Sequence, residues 1–406
     1  MGKLNSNLLT AIDLGSARTS VLVVETSDNG LRYRGHGIAE SRGSRKGIIV
    51  DLEKAVASVQ KAVEQAENVS GVAIENALVG VAGSHIRGLN SHGGISLGAR
   101  AREITREDIR QAVERARAIT LPEDREILHV LRQDFILDEQ PGVRDAAGLM
   151  ASKLEVKVHL VTAAASAKQN VITVLNRAGI HVDDVIFEAL ACADAVLRSD
   201  ERELGVCVAD IGAGSTDMAV IVEGAVIHTG VVPIGGDHFT NDVAVGLRTP
   251  LNDAEKIKKF FGCAAVTRIP EPNEIEVPSV GDRPSRLMSQ RLLGEILEPR
   301  ARELFELVRD NLRHGGALDL CRAGFVITGG GARLLHIAEI AESVLRRPTR
   351  VGSPIPISKM PAELSEPDSA TLIGLILYGQ RARFMHGLQE QTLAGKLKSL
   401  FARRGA

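Results

Sequence analysis

The hydrophobic and polar positions of this chain repeat one local pattern twice. In AIDLGSARTSVLVV, near the start, and VADIGAGSTDMAVI, near the middle, an apolar strand runs into an aspartate, a tight glycine-containing turn and a second apolar strand. Short apolar runs bounded by glycine and serine are typical of strands joined in a hairpin. Asp13 and Gly15 of the first copy correspond to Asp210 and Gly212 of the second, and a threonine follows in each. The sequence therefore predicts two equivalent hairpins.

Helical periodicity after the first hairpin places it in an α/β lobe. A helix is predicted to begin at Asp51, because a capping residue there precedes an apolar stripe at helical spacing. Between residues 81 and 162 the sequence predicts a glycine-rich loop (SHGGISLGA), a helix capped by Thr105, and two strands, ILHVLRQDFIL and LEVKVHLVT. This stretch is typical of a small inserted α+β subdomain. The stripe of the first helix consists of Leu52, Val56, Val59, Val63 and Ala66.

The second half of the chain repeats this organisation. Helical patterns at 163–178 and 188–198, separated by the strand VDDVIF, lead into the second hairpin. Residues 236–320 then form a second insertion, in which the turn-rich segment RIPEPNEIEVPSVGDRPSR precedes a long helix. Repeated α/β halves with two insertions predict a two-lobed protein of the α/β class. One side of the long helix carries Leu297, Ala301, Leu304, Phe305, Val308 and Leu312.

Composition and charge narrow the functional class. A chain of 406 residues exceeds the size at which one core usually stops growing, and 44% hydrophobic residues suffice for packed cores. The net charge of −2 and the 3% of aromatic residues argue against nucleic acid as a partner. No apolar run approaches the roughly 20 residues of a membrane span, and the four cysteines form no CxxC pair. We therefore expect a protein of the reducing cytoplasm.

The two turns have the chemistry of a phosphate cradle. Their glycines bring the backbone close to a ligand, and their backbone N–H groups and hydroxyls can donate to phosphate oxygens. Asp13 and Asp210 are the expected carboxylates beside Mg²⁺, an ion that keeps most of its waters and needs only one or two carboxylates. The alternative is a pair of ordinary hairpins whose glycine and serine only form the turn. The expected phosphate contacts are Gly15, Ser16, Thr19, Gly212, Gly214, Ser215 and Thr216.

A third glycine segment follows later in the chain. The sequence FVITGGGARLL predicts a strand that ends in Gly329, Gly330 and Gly331 and continues into a helix. Bare backbone there would accept an adenine or a ribose. Leu334 occupies the last glycine position of a dinucleotide-binding fingerprint, and no GxxxxGK[ST] occurs, so the sequence excludes the two commonest nucleotide-binding motifs. A simple glycine turn before a helix is the alternative interpretation.

The end of the chain is basic and amphipathic. In LQEQTLAGKLKSLFARR, apolar residues recur at i, i+4, i+7 and i+8, and a cationic flank adjoins them. A helix of this kind lies in the lipid interface and attracts anionic headgroups. The alternative is a helix docked on its own domain. The expected lipid contacts are Leu393, Lys396, Leu397, Lys398, Leu400, Phe401, Arg403 and Arg404.

The double hairpin, the glycine turn and the helices before them resemble the actin, Hsp70 and sugar-kinase superfamily over nearly the whole chain. In that superfamily, two ribonuclease-H-like lobes close over ATP, with the hairpins as phosphate loops and the glycine turn as the adenosine loop. The resemblance therefore implies ATP and Mg²⁺ as ligands of the turn residues and the glycine segment. By similarity to Hsp70, Glu255, Lys258 and Lys259 would flank the base or ribose, and a solvated helix face is the alternative.

Within the superfamily, the chain resembles the FtsA family of bacterial cell-division proteins from about residue 8 to residue 380. The resemblance rests on EITREDIRQAVERA, ILHVLRQDFILD, GGDHFTNDVAVGLRTPLNDAEKIK and PSVGDRPSR. The subdomain at 81–162 sits where FtsA has a unit that other actin relatives lack. The implied parts are subdomain 1A (1–80, with 163–190 and 370–385), inserted subdomain 1C (81–162), subdomain 2A (191–235, with 321–369), subdomain 2B (236–320), and a linker with a membrane-targeting helix (386–406).

The resemblance also implies a role and partners. The protein would be a cytoskeletal adaptor on the cytoplasmic face of the cell membrane at the division site, where it would polymerise into actin-like filaments. It would bind anionic lipids, anchor the FtsZ ring and help recruit other divisome proteins. The FtsZ C-terminal tail would bind the second insertion, where Arg300 and Glu303 are the candidate contacts.

At most slow ATP hydrolysis is expected. The position that matches the water-orienting glutamate of Hsp70 and MreB is Glu188, although Ala189 stands where those relatives carry proline. An acid that interacts with a helix N-terminus is the alternative. The sequence contains no HExxH. An actin-fold phosphotransferase or phosphatase, and a pilus-assembly adaptor of the same fold, are the alternative functions.

Overall fold

The computed structural model describes residues 7–27, 30–270, 272–281 and 283–383. In chain order the strands are β1 (Leu8–Leu14), β2 (Arg18–Ser27), β3 (Gly30–Glu40), β4 (Ser44–Arg45), β5 (Ile48–Ile49), β6 (Asn76–Val81), β7 (Arg87–Ser96), β8 (Arg102–Glu103), β9 (Arg125–Leu137), β10 (Gln140–Val143), β11 (Met150–Ala151), β12 (Lys153–Ala164), β13 (His181–Phe187), β14 (Val206–Ile211), β15 (Thr216–Val222), β16 (Ala225–Val232), β17 (Glu274–Val277), β18 (Arg286–Ser289), β19 (Gly324–Thr328) and β20 (Thr349–Val351).

The helices are α1 (Leu52–Ser70), α2 (Arg106–Arg117), α3 (Ala165–Arg177), α4 (Glu188–Val196), α5 (Ser199–Leu204), α6 (Gly236–Leu247), α7 (Leu251–Phe261), α8 (Gln290–His314) and α9 (Ile337–Leu345). A further helix covers residues 370–383. Within the described ranges, no helix has the length and apolar character needed to span a membrane.

Two five-stranded sheets repeat one topology. The first has the order β13-β6-β1-β2-β3, and the second has the order β20-β19-β14-β15-β16. In each sheet the first three strands in sequence form an antiparallel meander, and the other two strands run parallel to the first. The predicted two-lobed α/β architecture is confirmed, and each predicted hairpin opens one of the sheets.

Local sequence signals explain where the helices begin and end. Asp51 caps α1 by accepting a hydrogen bond from the backbone N–H of Lys54 at 3.2 Å, and Gly71 ends the helix in the left-handed conformation. Thr105 caps α2 in a reciprocal capping box with Asp108. Both predicted helix starts are therefore confirmed.

The first insertion lies between β6 and α3. Its main sheet has the strand order β10-β9-β12-β7, and α2 packs on that sheet, while β8 and β11 form a separate pair. The prediction of a glycine-rich loop at SHGGISLGA was wrong, because most of that segment belongs to β7. A Cβ atom on Gly93 would overlap the backbone of Ala116, so glycine there lets α2 pack directly against the strand. Glycine thus marks a close approach here, not a loop.

The second insertion lies between β16 and β19. It contains α6, α7, the long helix α8 and a short hairpin of β17 and β18, which lies inside the segment predicted only as turn-rich. Short apolar positions among prolines gave too little alternation to predict those two strands. The predicted apolar side of α8 is buried, as expected.

The described residues form three hydrophobic cores. One core fills the first lobe and continues onto one face of the second sheet through Val206, Val208 and Val326. A second core lies between the other face of that sheet and helices α6 to α9. A third, smaller core belongs to the first insertion. The first core therefore joins the two lobes, and with them the two hairpins.

Candidate functional site

The two predicted turns have equivalent strand pairing. In the first, Asp13 of β1 lies opposite Ser20 of β2, and in the second, Asp210 of β14 lies opposite Asp217 of β15. Both turns therefore place a buried aspartate at the end of the incoming strand and the next residues in a tight connection. The prediction of two equivalent hairpins is confirmed.

The two turns meet at residues 46–47, in the connection between β4 and β5. The hydroxyl of Ser16, in the first turn, accepts a hydrogen bond from the backbone N–H of Gly47 at 3.2 Å. A Cβ atom on Gly214, in the second turn, would lie 2.5 Å from Cα of Lys46 and 3.1 Å from Oγ of Ser16. The structure thus brings the two predicted phosphate turns together, and only glycine fits at position 214.

Asp13 lies buried with an unsatisfied oxygen. Within the described part of the chain, Oδ1 of Asp13 has no hydrogen-bond partner. Burial raises the pKa of Asp13 to about 7; the positive charge of Arg18 opposes this shift and the negative charge of Asp210 adds to it. A bound cation would supply the missing partner for that oxygen.

Asp210 is buried too, but its carboxylate has partners. Oδ2 of Asp210 accepts hydrogen bonds from Sγ of Cys192 at 3.3 Å and from Oγ1 of Thr371 at 3.0 Å. Burial raises the pKa of Asp210, and these two hydrogen bonds oppose the shift. The second aspartate is thereby held in one orientation by the first residues of the 370–383 helix and by α4.

Glu188 joins the same group of acids. It is the first residue of α4, and its side chain occupies the space beside Gly80, where a Cβ atom would lie 2.9 Å from Oε1 of Glu188. Burial raises its pKa well above the ordinary value, and the negative charges of Asp13, Asp210 and Asp217 add to the shift. Glu188, the predicted water-orienting residue, thus lies close to Asp13 and Asp210, the two aspartates predicted to lie beside Mg²⁺.

The acids fit a hydrated magnesium ion better than a bare one. Among the residues that the structure describes, no three histidine, cysteine or acidic side chains are arranged to hold a metal directly. Magnesium keeps most of its waters and binds through one or two carboxylates and phosphate oxygens, so water-mediated contact suits this spacing. Asp13 and Asp210 are the two residues that would hold it.

The hydroxyls of the turns are largely engaged within the protein. Oγ1 of Thr19 lies 2.8 Å from Oγ of Ser41, and Oγ1 of Thr216 donates to the backbone carbonyl of Ile234 at 2.8 Å. Both threonines are fully buried. In this arrangement the threonine side chains brace the turns.

The glycine segment lies beside the second turn. Gly329 has a φ angle of 81°, and a Cβ atom on Gly329 or Gly331 would overlap the end of β14 at Asp210 or Ile211. Gly330 is open, with only Cβ of Asp368 within 4 Å of an added methyl group. Two of the three glycines therefore serve close packing against β14, and the third leaves bare backbone exposed.

The charged helix residues also lie near the second turn. Nζ of Lys258 donates to the backbone carbonyl of Gly236 at 3.0 Å, and the N–H of Gly236 donates to the carbonyl of Gly212 at 2.9 Å. Glu255 pairs with Lys258 at 2.6 Å and with Lys259 at 3.0 Å. The side chain of Lys259 is 67% exposed, so of the three it is the one that best fits the solvated-face alternative.

Asp217 belongs to this site, although the sequence pattern did not single it out. Asp217 is 3% exposed, and its carboxylate accepts hydrogen bonds from the backbone N–H of Gly83 at 2.9 Å and from Oγ of Ser215 at 2.8 Å. Burial raises its pKa to about 7. The available sequence signal was an acid inside the otherwise apolar strand that follows the second turn.

Two groups of predicted residues lie elsewhere. Arg300, on α8, pairs with Asp242 of α6 at 2.6 Å and also with Glu303, so these candidates belong to the second insertion and not to the acid cluster. The predicted lipid contacts, from Leu393 to Arg404, lie outside the described residues.

Comparisons with known proteins identify the chain's relatives. The family model described as "Cell division protein FtsA" matches residues 207–374, and that described as "SHS2 domain inserted in FTSA" matches residues 83–162. The chain is 43% identical over 376 residues to the cell division protein FtsA of Pseudomonas aeruginosa, covering 92% of this chain and 90% of that protein. It is 36% identical over 383 residues to the Escherichia coli K12 protein of the same name, covering 92% and 91%.

Solved structures with low sequence identity share the fold. A PilM–PilN type IV pilus biogenesis complex aligns with a TM-score of 0.64 at 16% identity, covering 91% of this chain and 98% of that one. MreB5 of Spiroplasma citri bound to AMPPNP aligns with a TM-score of 0.58 at 15% identity, covering 95% and 99%. The chain therefore has an actin-like fold with an inserted SHS2 domain in its first lobe, as the sequence predicted.

Proposed function

The chain belongs to the FtsA family of cell-division proteins, and from this premise we propose that it is an ATP-binding, actin-like adaptor that anchors the FtsZ ring to the membrane. The observation that carries the proposal is the pair of equivalent turns that meet at residues 46–47 beside buried carboxylates. Backbone N–H groups of two facing turns can hold the phosphates of one nucleotide between them. A fold neighbour, MreB5, was solved with ADP and with AMPPNP.

Different residues of the site would hold the magnesium ion and the nucleotide. Asp13, with its unsatisfied Oδ1, and Asp210, fixed by Cys192 and Thr371, would face the hydrated ion. Magnesium, when bound, neutralises phosphate charge and lowers the cost of keeping these buried acids ionised. The glycine segment and α7 would border the adenosine, with Gly330 as the exposed backbone.

Glu188 is proposed to orient water for slow ATP hydrolysis. Burial and the neighbouring acids raise the pKa of Glu188, and a bound cation would oppose that shift and favour the ionised form, which can accept a proton from water. Slow turnover suits an assembly protein, because the nucleotide state then acts as a timer for assembly and not as a source of product.

The FtsZ tail is proposed to bind the surface formed by α6 and α8. The guanidinium of Arg300 is fixed there by Asp242, and Glu303 beside it is half exposed. Arg300 also pairs with Glu303, so a peptide carboxylate would compete with Glu303 for the guanidinium, and a peptide cation would pair with Glu303. This surface lies on the second insertion, where α6 begins beside the second phosphate turn at Gly236 and reaches Asp242 further along its length.

The C-terminal segment is proposed to attach the protein to anionic lipid on the cytoplasmic face of the cell membrane. Its support is the basic amphipathic sequence from Leu393 to Arg404. Four apolar side chains give only marginal binding, and assembly into filaments would multiply it through avidity. Filament formation and recruitment of other divisome proteins complete the proposed role at the division site.

The enzymatic and pilus alternatives are not proposed. Relatives at 43% and 36% identity over most of the chain carry the name cell division protein FtsA. The likeness to the PilM–PilN complex, at 16% identity, shows the fold alone.

Co-sedimentation with vesicles of mixed neutral and anionic lipid tests the proposal. The full chain is compared with a chain ending at residue 386, each with and without magnesium–ATP and with added FtsZ. We expect only the full chain to pellet, ATP to increase the pelleted fraction, and FtsZ to pellet only in its presence. FtsZ that lacks its C-terminal tail should stay in solution.

A matched pair of charge variants sharpens that test. Leu397→Glu places a carboxylate on the apolar side of the C-terminal segment, whereas Ser399→Glu adds the same charge on its polar side. We expect Leu397→Glu to lose vesicle binding and Ser399→Glu to lose much less. Equal binding by the full chain and the shortened chain would contradict the membrane role.

A further inference from the structure

A single buried carboxylate links the second phosphate turn to the start of the first insertion. Asp217, on β15, accepts a hydrogen bond from Ser215 of the turn through Oδ2 and another from the N–H of Gly83 through Oδ1. Gly83 lies between the end of β6 and the start of β7, where the chain enters the insertion. The turn belongs to the second lobe and the entrance to the first, so the contact crosses between lobes.

Backbone contacts reinforce this link at the same place. Gly83 has a φ angle of 105°, and a Cβ atom there would lie 2.7 Å from the carbonyl oxygen of Lys46. The segment at 46–47 in turn contacts Gly214 of the second turn and Ser16 of the first. If the second turn moves, it therefore displaces the segment at 46–47, which contacts the entrance of the insertion at Gly83.

The main sheet of the insertion is also attached to the second lobe. Nε2 of His159, on β12, lies 2.8 Å from Oγ1 of Thr229 on β16, and both residues are buried. Asn90 of β7 and Gln133 of β9 donate to backbone carbonyls of β16 at 3.1 Å and 3.0 Å. The insertion is covalently part of the first lobe but hydrogen-bonded to the second, so relative movement of the lobes must strain one attachment or the other.

We propose that Asp217 is a positioning residue that transmits nucleotide occupancy of the second turn to the first insertion. The inference rests on the proposed binding of ATP at the two turns. The Ser215 hydroxyl has one proton, which in this structure goes to Asp217. A phosphate oxygen in the turn competes for that proton, and Oδ2 of Asp217 is then left buried without its donor.

The consequence appears at Gly83. A buried carboxylate that loses a donor is costly, so the Asp217 side chain shifts towards water and its hydrogen bond from Gly83 opens more often. The entrance of the insertion is thereby loosened when nucleotide is bound. The insertion can then change its angle to the second lobe, within the limits that the β16 contacts allow.

Hydrogen–deuterium exchange at the Gly83 amide tests the proposal in the full chain. Exchange is followed by mass spectrometry with fragmentation that resolves this amide, with and without saturating magnesium–AMPPNP. We expect the wild-type rate to rise about tenfold on nucleotide addition, the equivalent of one lost charge-assisted hydrogen bond. An unchanged rate at verified saturation would overturn the proposal.

Three variants separate coupling from a merely structural role. In Asp217→Asn the amide can donate to Oγ of Ser215 and still accept from Gly83, so we expect slow exchange with or without nucleotide. Ser215→Ala removes the competing proton, so we expect fast exchange in both states. Ser215→Thr keeps the hydroxyl and should restore the nucleotide response.

Thr229→Val is the matched control, because it breaks the His159 contact of the same insertion without touching the turn. We expect it to keep the wild-type response at Gly83. A nucleotide response in Asp217→Asn equal to that of the wild type would overturn the inference.

Nucleotide binding is measured by calorimetry on the same samples. Failure of the wild type to bind ATP would refute the proposed function and, with it, this inference. Binding without a change at Gly83 would refute this inference alone.

Discussion

The two phosphate turns share a backbone and differ in what holds their side chains. Asp13 and Asp210 occupy the same position, yet Asp13 has an unsatisfied oxygen while Asp210 accepts hydrogen bonds from Cys192 and Thr371. The residues opposite them differ as well, because Ser20 stands where the second turn has Asp217. Among the described residues the buried hydroxyl of Ser20 has no partner.

This difference shows how one duplicated hairpin can serve two tasks. The second turn is anchored, since Asp210 is fixed on one side and Ser215 and Asp217 tie it to Gly83 on the other. In the first turn, Oδ1 of Asp13 has no hydrogen-bond partner among the described residues. Arg18, at the end of the same turn, forms an ion pair with Asp368, which lies after β20. We infer that the first turn adapts to the ligand and that the second transmits its presence.

Neutralising the two equivalent aspartates should have the largest effect. We expect Asp13→Asn to weaken magnesium–ATP binding by about 100-fold, because it removes charge beside the ion. Without nucleotide, Asp13→Asn should be more stable than Asp210→Asn by about 1 kcal/mol at pH 7, since a buried acid with a pKa of about 7 and no partner for one oxygen is relieved. Calorimetric titration and chemical denaturation measure the two quantities. Equal stabilities would show that the turns are anchored alike.

Methyl groups added to the two glycines of the second turn should have unequal effects. Gly214→Ala brings Cβ against the backbone at Lys46, whereas Gly212→Ala places it 3.2 Å from the carbonyl oxygen of Ser215. We expect Gly214→Ala to lower the free energy of unfolding by about 2 kcal/mol and Gly212→Ala by less than about 1 kcal/mol. Urea denaturation compares them. A milder effect at Gly214 would mean that the turns are not in contact through residues 46–47.

Lowering the pH should destabilise the fold through His159, which is buried at the contact between the first insertion and β16. Burial lowers the pKa of His159 to about 4, against 6.5 for an ordinary histidine, so its neutral form stabilises the fold above pH 6.5. That contribution is lost as pH falls from 6.5 towards 4, by on the order of 1–2 kcal/mol. His159→Gln should flatten the dependence of unfolding free energy on pH in this interval. An unchanged slope would argue against a buried neutral histidine at the β16 contact.

Loss of the ion pair between Arg18 and Asp368 should have the smallest effect. Arg18 and Asp368 are 28% and 17% exposed and lie 2.7 Å apart, so Arg18→Gln should cost about 1 kcal/mol of unfolding free energy. Arg333 also approaches Asp368, at 3.4 Å, but is 51% exposed. Arg333→Gln is therefore the matched control and should cost less than about 0.5 kcal/mol. A larger loss from Arg333→Gln would assign the contact with Asp368 chiefly to that residue.

Much of the fold was predictable because its signals are local. The caps at Asp51 and Thr105, the apolar side of α8 and the two aspartate–glycine turns each depend on a few neighbouring residues. The strand β7 was missed because its glycines allow close approach by residues far along the chain, such as Ala116 of α2 at Gly93 and His159 and Thr229 at Gly88. The divisions between subdomains stay a prediction.

The residue types that form the site could be predicted from the sequence, but the contacts between them could not. The pattern of the two turns predicted that Asp13 and Asp210 lie together, the family resemblance added Glu188, and the structure brings the three acids close to one another. It did not show that Thr19 and Thr216 face inward, or that Asp217 accepts from a residue 134 positions away. Those facts depend on long-range packing, which leaves little trace in a single sequence.

The central claim is that one nucleotide bridges both turns. Calorimetric titration of magnesium–ATP into the full chain, Asp13→Asn, Asp210→Asn and the double variant tests it most directly. The account predicts one ATP per chain, weakened binding in both single variants, and a double variant whose loss differs from the sum of the two. Two independent sites, or wild-type affinity in either single variant, would contradict it.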